Sequence, residues 1–299
     1  MAKRHPFIKG LGILFLSILI FFVAVFFYAY LTGGEVQLFS LLGGEGVGVL
    51  QIEGSIDDSR GAIQNLKRFG KAKKIKAVVV RIDSPGGGVA PTQEIYQEIE
   101  KLKRKKPVIA SLGGIAASGG YYIASACDQI VANPGTLTGS IGVIMELGNV
   151  EELMRKLGLK GYTIKSGPHK DSGSPLQPLS AEGRAILQSL VDNVHGQFVR
   201  AVAKGRRMPE ANIRKFADGR VYSGEQAKEL GLVDRLGSME DAIDLADKLG
   251  GIKGVPQVIY SRSEDKSWWE RLLFSFFGKG FGRGEVWGLR YEWSPYLIQ

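Results

Sequence analysis

The longest apolar run in the chain spans residues 10–32, GLGILFLSILIFFVAVFFYAYLT, 23 residues without a charge. At about 1.5 Å per helical residue such a run crosses a ~30 Å hydrocarbon layer, so the pattern predicts a membrane-spanning helix. Lys3, Arg4 and Lys9 precede it and Glu35 follows. Because cytoplasmic flanks carry the positive excess, residues 1–9 are expected in the cytoplasm and the rest of the chain across a cell membrane, in the periplasm of a two-membrane bacterium. Tyr28 and Tyr30 suit the outer interface. A cleaved secretory signal has a shorter apolar core and an A-x-A-like site; the length of this run and the lack of such a site favour an uncleaved anchor.

Beyond a Gly-containing linker over 33–45, the pattern changes to short apolar segments separated by amphipathic ones. Strands are predicted over 47–53, 75–83, 107–114, 129–132, 140–145 and 161–166, rich in β-branched residues and bounded by Gly or Pro. Between them Thr92 can cap a helix with Ile95, Ile99 and Leu102 on one stripe, 182–203 reads as a long amphipathic helix, and Ser223 with Gln226 forms a capping box. Apolar strands alternating with helices predict an α/β domain over 46–260, with a parallel sheet covered on both faces. The tail 261–299 is aromatic and Gly-rich, and Trp268, Trp269, Leu272, Leu273, Phe276 and Phe277 would share one face of a short helix suited to a membrane interface or a neighbouring subunit.

Composition narrows the chemistry only modestly. The formal charge is +9, but with Lys3, Arg4 and Lys9 set aside 36 basic residues face 30 acidic ones, a surplus too diffuse to argue for nucleic acid. The single cysteine, Cys127, has no partner for an intrachain bridge.

Two Gly-rich turns each follow a predicted strand. Asp83-Ser84-Pro85-Gly86-Gly87-Gly88 offers bare backbone amides that could cradle an anion, or is a plain strand-to-helix turn. In Gly113-Gly114-Ile115-Ala116-Ala117-Ser118-Gly119-Gly120, Ser118 stands where a helix begins, either as a simple N-cap or as a nucleophile with the Gly119 amide beside its oxyanion. A serine hydroxyl needs a base. Of three histidines, His5 precedes the span, His195 falls mid-helix and reads as structural, and His169 lies in the loop Ser166-Gly167-Pro168-His169-Lys170-Asp171. Lys170 in the same loop could serve instead, since an apolar pocket or a neighbouring cation can favour the neutral amine. The G-x-S-x-G elbow of α/β-hydrolases is absent around Ser118.

In chain order, DSPGGGV, GGIAASGGYYIA, ANPGTLTGSIGV, SGPHKDSGSP and GRVYSGEQAKELGLVDRLG resemble the signal peptide peptidase A family of membrane serine proteases, in its short single-domain form. The resemblance covers about 46–250. It implies a Clp protease/crotonase-like fold of stacked β-β-α units, Ser118 as nucleophile, Lys170 as general base of a Ser-Lys dyad, Ser140 as the hydroxyl that orients the lysine, and Gly86, Gly87 and Gly119 as the oxyanion site. It further implies no metal or organic cofactor and remnant signal peptides as substrates. Longer relatives carry two tandem copies of the domain, so a single copy implies a ring-shaped homo-oligomer in which one subunit's lysine loop completes its neighbour's serine site. The alternatives that remain open are a membrane Ser-Lys protease with another protein target, as in the stomatin-partnered enzymes, and a non-proteolytic protein, either crotonase-like and holding a thioester oxygen or a catalytically silent membrane scaffold.

Overall fold

The computed structural model describes residues 15–24, 44–261 and 290–292, and the chain divides into two units, 1–44 and 45–299. In the first unit, residues 15–24 are helical and every side chain is exposed, Phe15, Leu16, Phe21 and Phe22 among them. Among the described residues no helix is long and apolar enough to cross a membrane. The rest of the expected 10–32 span, the linker up to 43 and the expected tail helix over 268–277 lie outside the described residues.

The second unit runs β1 (Gly46–Glu53), α1 (Arg60–Lys71), β2 (Ile75–Ser84), β3 (Gly86–Gly88), α2 (Val89–Lys103), β4 (Val108–Ala117), α3 (Gly119–Ala124), β5 (Gln129–Ala132), β6 (Leu137–Gly139), α4 (Glu151–Lys156), α5 (Ala181–Arg206), α6 (Glu210–Arg214), β7 (Val221–Ser223), α7 (Gly224–Glu229), β8 (Arg235–Leu236), α8 (Met239–Gly250), β9 (Gln257–Tyr260) and β10 (Arg290–Glu292). The main sheet has the order β7-β6-β4-β2-β1-β9, with β5 and β8 branching from β4. Its pairings are parallel except β6 with β7.

Strand alternation sends side chains to two cores. Val78, Val80 and Ile82 of β2 point to the face covered by α1, α2 and α3, with Phe69, Ile95, Ile99 and Tyr121. Ala77 and Val79 point to the other face, against Ala242, Ile243, Leu245 and Ala246 of α8. Burial on both faces is why these strands read as continuous apolar runs. The helix ends follow local chemistry: Ser223 with Gln226 and Ser238 with Asp241 form capping boxes.

Three expectations are corrected. The strand expected over 140–145 is shifted: β6 ends at Gly139, and Ser140, at φ +51°, turns the chain out of the ladder, leaving only an isolated bridge at Ile144. Residues 161–166 form no strand; all six are exposed and none pairs with the sheet. The helix expected to start at Thr92 starts one turn earlier, with Gly88 at the N-cap, and Thr92 lies buried inside it.

One feature of the sheet positions the site. β4 pairs with β5 through Ile109–Leu112 and with β6 through Ile115–Ala117, and its register against β2 shifts between those halves. The shift falls at Gly113-Gly114, where the Asp83 carboxylate accepts the Ile115 amide at 3.1 Å. A Cβ at Gly113 would stand 2.7 Å from that carboxyl carbon, so glycine is required for the offset. The end of β4 is thereby turned onto β6.

Candidate active site

Ser118 caps that turned end. It is 1% exposed, lies at φ +51° and ψ −113°, and directly precedes α3. Its amide donates to the Gly139 carbonyl (2.8 Å) and its carbonyl accepts the Tyr122 amide (2.8 Å). Its hydroxyl makes no capping bond to α3, so the simple N-cap reading does not describe it. A non-glycine residue at such a dihedral costs roughly 1–3 kcal/mol and persists where its surroundings over-determine it. Ser140 repeats the feature, at φ +51°, nearly buried, with its amide on the Arg220 carbonyl at 2.8 Å.

Both serines open into one cleft of about 510 Å³. One wall is the segment Gly142, Val143 and Ile144; the opposite wall is a face of α5 carrying Gln188, Val191, Asp192 and His195. The spacing of those four, three and four residues apart, places them on one side of a helix. His195, expected to be structural, thus lines the cleft, and its Nε2 is buried without a hydrogen-bond partner. Its helical spacing from Gln188 was legible, but nothing in the sequence said what that face met. Glu146, Asp192 and Asp218 bring carboxylates to the cleft, and among the described residues no Lys or Arg lines it. Hydrogen bonds from the Arg220 side chain hold the Asp218 carboxyl below the usual carboxylate range.

The two glycine turns meet beside Ser118. Gly86 and Gly87 have φ of +112° and +159°, and β3 is fixed by Ser84 Oγ, which accepts the Gly86 amide (3.1 Å), and by Ile56, whose amide donates to the Gly86 carbonyl (2.8 Å) and whose carbonyl accepts the Gly88 amide (3.0 Å). A Cβ on Gly119 would approach the Gly86 Cα to 3.2 Å and Thr92 Oγ1 to 2.9 Å, and a Cβ on Gly86 would stand 2.8 Å from the Gly119 nitrogen. Backbone approach this close requires glycine on both sides.

The structure therefore brings Ser118, Ser140, Gly86, Gly87 and Gly119 together. It places Lys170 elsewhere: the side chain is exposed, is not among those lining the cleft, and sits in a turn where its amide donates to the Gly167 carbonyl at 3.3 Å. Lys165 closes that turn by pairing with Asp171 (2.7 Å), and this bond holds the Asp171 carboxyl below its usual range. His169 is exposed with its Nε2 3.5 Å from Glu182.

The family model described as peptidase family S49 matches residues 100–253, and that of Clp protease matches 43–134. A Synechocystis sp. protein named as a protease is 48% identical over 204 residues, 68% of this chain and 74% of that protein. One from Methanocaldococcus jannaschii, also named as a protease, is 38% identical over 229 residues, 77% of this chain and 74% of the relative. An Enterococcus faecium protein named for the signal peptide peptidase SppA is 42% identical over 187 residues, 62% of this chain and 54% of the relative.

Proposed function

Since the chain belongs to peptidase family S49 and is a serine peptidase with a Clp protease-like α/β domain, we propose that it hydrolyses peptide bonds through Ser118 activated by Lys170. The observation that carries this is the Ser118 turn: a strained, buried serine without a capping bond, opening into a cleft beside two abutting glycine turns. The Ser118 hydroxyl gives its proton to a neutral lysine amine and attacks the peptide carbonyl. With the Gly86 amide taken by Ser84 Oγ, the amides of Gly87 and Gly119 face the developing oxyanion. The protonated lysine supplies the leaving amine, and water then hydrolyses the acyl-enzyme with the same base. Ser140, which lines the same cleft, orients the lysine.

Because Lys170 does not line its own chain's cleft, the base comes from a neighbouring subunit of a ring-shaped homo-oligomer. The exposed loop around it, with Tyr162 and Ile164 fully in solvent, is the surface that a second copy covers. A lysine amine pressed into a cleft loses hydration and with it part of its preference for the charged form. The run over 10–32 anchors the enzyme in the cell membrane with the peptidase unit outside the cytoplasm, where remnant signal peptides are released into or near the bilayer; the name of the Enterococcus relative points to the same substrate class.

The test is complementation. Ser118→Ala and Lys170→Ala should each abolish casein cleavage, and a fluorophosphonate should label wild type but not Ser118→Ala. Co-assembly of the two variants in equal amounts should restore about a quarter of wild-type activity, the chance that an intact serine meets an intact neighbouring lysine across a heterologous interface. Full activity of Lys170→Ala would remove the dyad and promote His169 or His195.

A further inference from the structure

Two stretches of the chain, LKRFGKAKKIK (66–76) and KLKRKKP (101–107), hold six and five of its 39 Lys and Arg residues and no Asp or Glu. The fold brings them to one end of the sheet. The first closes α1 and leads into β2, and the second closes α2 and leads into β4. Because β2 and β4 run parallel, both start at this end and carry the Gly86 turn and Ser118 at the other. The Lys106 amine ties the stretches together by donating to the Phe69 and Ala72 carbonyls at 2.6 Å each. Burial and the charges of Lys76 and Lys105 push that amine below the usual lysine range, so both stretches act on one point.

Internal pairing and helix dipoles account for only part of this charge. Glu45 takes Lys76 (2.8 Å), Glu98 takes Lys101 (3.2 Å) and Glu100 takes Lys103 (2.7 Å). Arg68, Lys71, Lys101 and Lys103 stand in the last turns of α1 and α2, where cations complement the helix dipole. Lys73 and Lys105 lie beyond those turns. Lys71, Lys73, Arg104 and Lys105 are exposed and make no ion pair among the described residues. Like charges gathered on one surface destabilise a folded chain by repulsion, so folding alone does not explain their concentration. The chain also enters this unit here: Gly46 opens β1, and its amide donates to the Lys74 carbonyl at 2.9 Å.

We propose that this basic end of the sheet is a docking surface for the anionic phosphodiester headgroups of the membrane that anchors the chain. The inference rests on the anchoring by 10–32 proposed above, since Glu45 and Gly46 are the part of the peptidase unit nearest that span along the chain. Four exposed cations from two separate connections suit a plane of negative charge. Each Lys or Arg near such a surface favours contact by about fivefold, provided it lies within a Debye length. The docked unit carries its Ser118 cleft at the far end of β4.

The test uses the full chain reconstituted into vesicles of phosphatidylcholine alone or with about a third phosphatidylglycerol. Cys127 is buried, so Arg104→Cys takes a fluorophore at the basic end only. A quencher on the lipid headgroups should dim it in the mixed vesicles and not in phosphatidylcholine, and about 1 M NaCl, which shortens screening to ~3 Å, should restore it. Adding Lys71→Gln, Lys73→Gln and Lys105→Gln together should lower the ratio of docked to undocked chains on the order of 100-fold. Casein cleavage in detergent should match that of Arg104→Cys alone, because Ser118 lies at the opposite end. Equal dimming in both compositions, no dimming in either, or dimming that survives the three substitutions overturns the inference and leaves anchor and peptidase standing. Extraction from phosphatidylcholine vesicles by alkaline carbonate removes the anchor reading instead. Salt-sensitive retention on the mixed vesicles then still supports the docking surface, and loss of that retention overturns it as well.

Discussion

Gly86→Ala separates the role of the glycine turn from its contribution to folding. At φ +112° an L-residue is strained whatever room it has, and here the new methyl would fall on the Tyr291 carbonyl oxygen and within 2.8 Å of the Gly119 nitrogen. The strain costs roughly 1–3 kcal/mol if the turn holds its shape. If the turn yields, it moves away from Gly119, and losing one oxyanion donor costs ~2.7–4 kcal/mol of transition-state stabilisation, or 10²–10³ in kcat. The control is Gly54→Ala: at φ +68°, with nothing within 4 Å of the added carbon, it carries backbone strain of about 1–2 kcal/mol but puts no methyl against either turn. Urea unfolding measures the first quantity and single-turnover hydrolysis of a peptide, normalised to folded active protein, the second. Gly86→Ala should show both losses, Gly54→Ala only the first. Gly86→Ala with wild-type kcat per folded molecule would refute the assignment of this turn to the oxyanion.

Two further substitutions test the scaffold behind the site. The Arg206 side chain is 6% exposed and donates to both Asp234 oxygens (2.8 and 2.6 Å) and to the Gly231 carbonyl (3.0 Å). Asp234→Ala leaves a buried guanidinium uncompensated and should cost ~3–5 kcal/mol in urea unfolding, against the ~0–1 kcal/mol of a surface pair. Burial pushes the Asp128 carboxyl above the usual carboxylate range although it accepts the Val108 amide at 2.9 Å. The folded chain therefore holds that proton more tightly than the unfolded one, and stability falls as pH rises from below the ordinary carboxylate value through the raised folded value. Asp128→Asn should flatten that slope while keeping an oxygen for Val108; an unchanged slope in urea midpoints between pH 3 and pH 7 would contradict it.

How far the sequence could be read depended on whether signals were local. β1, β2 and β5 were visible because burial on both faces gives each a continuous apolar stretch, over 47–50, 77–80 and 130–132, and the Ser223–Gln226 capping box is complete within four residues. The segment 140–145 misled because its composition suits a strand while Ser140 sits at a dihedral that no composition reveals. Gly161–Ser166 misled because β-branched residues alone do not supply a pairing partner. At the site, Ser118 and the glycine turns were legible from their motifs. The packing of the Tyr291 ring against Tyr122 of α3 and Phe198 of α5 was not, because the three rings come from segments 76 residues or more apart in the chain.

The distance of Lys170 from the cleft of its own chain bears on when the enzyme works. A peptidase whose nucleophile and proton acceptor arrive on different molecules has a rate that climbs faster than linearly with its abundance, because each productive centre is an encounter product. On the proposed sharing of Lys170 between subunits, a solitary copy has no completed site and leaves unfolded chains intact. Dilution below the association threshold should extinguish turnover reversibly, without unfolding anything.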